Sequence, residues 1–162
     1  MSFFPRHTGA FSVPITQGSF RTLSRSLLVM AALTGLGVRL ARSVFQGQDP
    51  APGPVALWGF YVLGSAFILA MAALHLSNFT VRRWLWRAPA FVLLEVAAEM
   101  LVSALLIVLD REPSGTGSAH FHDWPSLAAS TLLFRTLLVL PFILVLAGIV
   151  QMVRVIMVRR RV

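Results

Sequence analysis

The chain has 162 residues, 57% of them hydrophobic and only 12% charged, with a mean hydropathy of +0.78; soluble domains are about 25% charged. That composition excludes an ordinary soluble enzyme, leaves no length for a separate catalytic domain, and indicates an all-α integral membrane protein. The net charge of +8 comes from 14 basic residues, all arginine and set beside apolar runs, so it reads as a topology signal and as contact with anionic lipids, with no nucleic acid as partner. Cysteine is absent, which removes disulfides, thiolate metal sites and cysteine nucleophiles.

Residues 1–20 are expected to form an extended amino-terminal strap, separate from a membrane domain over 21–162. They do not read as a signal peptide, because Pro5, Gly9, Pro14 and Gly18 interrupt the segment and no long apolar core follows a basic start. Phe3, Phe4, Phe11 and Phe20 would dock it. The first span is expected at about 23–44. Arg21, Arg25, Arg39 and Arg42 share one side of that helix, either snorkelling to the two membrane surfaces or marking a helix that lies in the interface. The apolar run Leu27–Val38 favours spanning.

A turn-rich break, 46–54, precedes the cleanest span, expected at about 55–77 and free of charge to Leu76. Trp58 and Tyr61 lie where aromatic side chains anchor at an interface. Gly59, Gly64, Ala66 and Ala70 would let a neighbouring helix approach closely. His75 follows at the far end. Next, Arg82, Arg83 and Arg87 interleave with Trp84 and Trp86, a pattern that between two spans reads as a headgroup-level anchor. Asn78-Phe79-Thr80 fits the glycosylation pattern, but on a cytoplasmic loop it would be idle.

The third span is expected at about 89–110 and the fourth at about 126–151. Apolar sequence continues from 126 to 158, about 50 Å of helix where the hydrocarbon needs about 30 Å. The fourth helix should therefore kink at Pro141, tilt, or project from the membrane. Four spans with both termini cytoplasmic put Arg6, Arg21, Arg25, Arg82, Arg83, Arg87, Arg154, Arg159, Arg160 and Arg161 inside, against Arg39, Arg42 and Arg111 outside, as the positive-inside rule requires.

The polar groups inside the spans are few. Glu95 and Glu99 stand one turn apart on the third helix, and Ser103 continues the stripe. An acid at bilayer depth costs about 3 kcal/mol even on the lenient insertion scale, so it should face protein or water and have a partner. That partner is expected to be Arg135. Glu99 is about 16 Å from the inner end of its helix and Arg135 about 14 Å from the outer end of its own, which brings them to nearly equal depth. Such a group can fix helix register, contact a subunit, contact a cofactor, or mark a proton or cation path.

Two histidine sites carry weaker signals. His75 could ligate a chlorophyll-type pigment or a five-coordinate haem, although a wet interfacial side chain is the simpler reading. His120, His122 and Asp123 could hold zinc or copper, but in a glycine-rich loop they read first as solvated. No phosphate loop, nucleophile elbow or HExxH motif occurs, so no catalytic residues are assigned and the chain is not expected to be an enzyme. The expected function is an accessory subunit of a larger photosynthetic or respiratory complex in a bacterial inner membrane, with other integral membrane subunits as partners. No cofactor is assigned, and lipid, pigment or haem would sit between subunits. The alternative is a small oligomeric proton or cation transporter using Glu95 and Glu99.

Overall fold

A computed structural model describes residues 22–48, 51–112 and 121–159. Among these the chain is all-helical: α1 (Leu27–Gln46), α2 (Pro54–Ser77), α3 (Val81–Val108) and α4 (Trp124–Arg159), with one 3-10 turn at Phe121–Asp123 before α4. All four helices are long and apolar enough to cross a membrane, so the protein has the architecture of a multi-pass membrane protein. The strap expected over 1–20 lies outside the described residues.

Local chemistry explains each boundary. A helical turn over 22–25 stops at Ser26, whose hydroxyl accepts from the Val29 amide at 3.3 Å and caps α1. Pro54 opens α2 at a position where its missing N–H costs nothing. The carboxamide of Asn78 closes α2 by donating to the Leu74 carbonyl at 2.9 Å. Only Asn78, Phe79 and Thr80 separate α2 from α3.

At the other end of α3, Asp110 takes the left-handed conformation at φ 52°. The Arg111 amide then donates to Leu106 O at 2.8 Å and the Asp110 amide to Ile107 O at 3.1 Å. This is the Schellman stop, with aspartate where glycine is usual. It turns the chain back, so that Glu112 is returned to the bundle.

Two boundaries depart from the sequence reading. The third helix begins at Val81 and runs through Pro89, where the span was expected to start. The fourth continues through Pro141 to Arg159. In α3 the reason is visible: the segment before Pro89 is held by tertiary contacts. The Trp84 indole N–H donates to Leu76 O at 2.7 Å, and its ring is buried. Anchoring of this kind offsets the roughly 3 kcal/mol that an interior proline costs a helix.

Helix α3 is the hub. Its buried face, Trp84, Ala88, Phe91, Val92, Val96 and Met100, meets Met30, Ala31 and Val38 of α1, Ile68, Ala72 and Leu76 of α2, and Val139 and Ile143 of α4. The closest approach is between α1 and α3 at Gly35. A Cβ there would lie 2.4 Å from the Glu95 carbonyl oxygen and 2.8 Å from the Glu99 amide nitrogen, so only glycine allows the two backbones to touch. By contrast, Gly59 and Gly64 have nothing within 4 Å, and Ala66 and Ala70 are exposed. Among the described residues, the small side chains of α2 therefore make no close helix contact.

Candidate functional site

The two carboxylates of α3 and the arginine of α4 come together in the middle of the bundle. Arg135 Nη2 donates to Glu99 Oε2 at 3.1 Å, and Arg135 Nε stands 3.5 Å from Glu95 Oε1. Both glutamates are essentially fully buried and Arg135 is 8% exposed. The spacing of one helical turn puts both acids on the same side of α3, and one guanidinium spans them. The satisfaction is incomplete. Neither oxygen of Glu95 accepts a hydrogen bond, and the Ser103 hydroxyl, also buried, makes none.

Sequence reasoning missed the contribution of α1. Arg39 and Arg42 were expected at a membrane surface. Instead Arg39 is 1% exposed and paired with the buried carboxylate of Glu112, while Arg42 Nη1 approaches Glu99 Oε1 at 4.0 Å. The signal was available in Gly35, Arg39 and Arg42, which share one helix face, and in the way helical side chains lean towards the amino terminus. That lean carries the Arg42 head back to the depth of Glu99. The result is a polar layer of three guanidiniums, Arg39, Arg42 and Arg135, and three carboxylates, Glu95, Glu99 and Glu112, drawn from α1, α3 and its end, and α4.

His75 corrects the sequence reading outright. It is fully buried, not a wet interfacial side chain. Its Nδ1 lies 2.9 Å from the Ser24 carbonyl oxygen, which can only accept, so Nδ1 carries the proton. Nε2 is then left to accept from Arg87 Nη1 at 3.2 Å. A pigment magnesium or haem iron would need that Nε2, and it faces a cation instead, so the arrangement does not fit axial ligation.

Arg87 also lies over the Phe79 ring at 3.6 Å. Of the expected headgroup anchors, Arg82, Arg83 and Trp86 are exposed, Arg87 is half-buried, and Trp84 is core. The fused α2–α3 hairpin draws Trp84 and Arg87 inward. Asn78, in the glycosylation pattern, uses its amide to bind Leu74 O and Ser24 Oγ. His122 and Asp123 are exposed, and His120 lies outside the described residues. Among the described residues, no group of three or more His, Cys, Asp or Glu is placed to hold a metal ion.

Comparison with protein-family models, curated proteins and solved structures found no match. The fold and the site define a class: a small multi-pass helical membrane protein with a buried ion-pair layer.

Proposed function

We propose that the protein is a non-catalytic accessory subunit of a larger membrane complex, in which it contributes helix packing, lipid contacts and assembly surface. The observation that carries this reading is the end of α4, which is exposed among the described residues. At 36 residues the helix is about 54 Å long. Gln151 is level with the start of α3, since both line one groove with Val81 and Arg82. The following turns extend beyond the bundle and still expose Met152, Val153, Val155, Ile156 and Met157. Apolar side chains past the level of Arg82 and Arg83, the expected headgroup anchors, call for a protein cover. Gly59, Ala66 and Ala70, exposed on one side of α2, support the same reading, because small residues there admit a helix from another chain.

The ion-pair layer has a structural role here: it fixes the register of α3 against α1 and α4. The acids are sealed rather than presented to a pathway, with Glu95 at 1% and Glu99 at 0% exposure. Both termini are proposed to be cytoplasmic on the arginine distribution alone, and the partner complex is proposed to be a bioenergetic one, photosynthetic or respiratory. The test is the triple substitution Met152→Gln, Val155→Gln and Ile156→Gln, which keeps the helix and removes the apolar surface. It should abolish co-migration with a large complex in native gels while the isolated chain stays folded. Unchanged co-migration would remove the projecting end as the assembly surface.

The transporter reading rests on a separate observation, the two carboxylate oxygens of Glu95 without hydrogen bonds. It requires Glu95-dependent ion flux in reconstituted vesicles, and its absence would leave the register role alone.

A further inference from the structure

Helices α1 and α4 share no extensive contact, and in the half of the bundle where α1 ends and α2 begins the space between them is a cavity of about 520 Å³. That is within the range of small-molecule sites. Its walls are mainly apolar and aromatic, with Phe60, Tyr61 and Phe134 among them, and Arg42 and Arg135 supply its polar edge. Arg42 keeps 23% of its side chain exposed and Arg135 10%. We infer that this cavity binds a neutral, lipid-soluble carbonyl compound of the quinone class, its ring among the aromatic side chains and a carbonyl oxygen accepting from Arg42 or Arg135.

Three features select that chemistry. Guanidinium N–H groups at the edge of an apolar cavity call for an acceptor, because a donor left without a partner there is costly. Arg135 lies 11 residues into α4, about 17 Å along the helix. A phospholipid could reach that depth only by pulling its charged headgroup into the hydrocarbon. Aromatic walls favour a planar ring through stacked and edge contacts. No redox step is implied, and the assignment does not depend on the subunit reading.

The test uses the full chain in mild detergent, with decylubiquinone, oleate and phosphatidylglycerol as separate probes. Decylubiquinone should raise the melting temperature saturably at one equivalent, and the other two should not. Gly64 lines the cavity, and a Cβ added there would meet nothing within 4 Å, so Gly64→Phe fills the site and should weaken binding at least about tenfold. Gly148→Phe, at a glycine with equally open surroundings outside the cavity, should leave binding unchanged. An azidoquinone photolabel on the wild-type chain should mark peptides from 60–67 and 127–135, which keeps the test decisive if Gly64→Phe fails to fold. Absence of saturable decylubiquinone binding, binding indifferent to Gly64→Phe, labelling elsewhere, or preference for oleate or phosphatidylglycerol would each overturn the assignment.

Discussion

Removing Arg135 would leave two buried carboxylates facing each other without their shared cation. Arg135→Met is expected to destabilise the folded protein by about 3–5 kcal/mol, the usual cost of breaking a buried pair by removing one member. Combining it with Glu95→Gln and Glu99→Gln should recover much of that loss, because the uncompensated charge goes with the partners; denaturant titration in mild detergent measures both. Gly35→Ala forces a methyl against the α3 backbone and is expected to cost about 1–3 kcal/mol by overpacking. Asp110→Gly relieves the left-handed strain and should stabilise by up to about 1 kcal/mol, whereas Asp110→Val should destabilise by about 1–2 kcal/mol. The Glu99–Arg135 pair was legible in the sequence, because depth along two antiparallel helices is simple arithmetic. The Arg39–Glu112 pair was not. It depends on a turn that sends Glu112 back to the bundle, and that turn uses an aspartate where sequence rules look for glycine.

At the level of elements, four spans could be read from hydropathy, and their placement agrees with α1 to α4 apart from the ends of α3 and α4. The third span was expected to start at Pro89, yet tertiary anchoring of Trp84 on Leu76 and Phe79 extends the helix two turns before it. Trp84→Phe replaces the indole with a smaller ring and deletes the N–H that ties Leu76 O and Phe79 O, and is expected to lower stability by about 1–3 kcal/mol. A melting-temperature shift in detergent reads that effect. His75 went astray for the same reason. Its position at the end of a span suggested water, but the short hairpin brings Arg87 to its Nε2, and the turn before α1 sets the Ser24 carbonyl against its Nδ1.

For the whole molecule, the fold separates two jobs. The polar layer and the Gly35 contact tie α1, α3 and α4 into one register. Among the described residues, Gly59, Ala66 and Ala70 of α2 and the end of α4 remain exposed. Composition made the membrane class readable, but no pattern in a single sequence says which apolar face meets lipid and which meets protein, because both environments select the same side chains.

The most direct test of the subunit proposal is the size and visible absorption of the particle that the tagged chain brings out of native membranes in mild detergent. The account expects a large, stoichiometric assembly containing other membrane subunits, coloured if the complex carries pigment or haem. A monodisperse, stable chain with no co-purifying protein would contradict it.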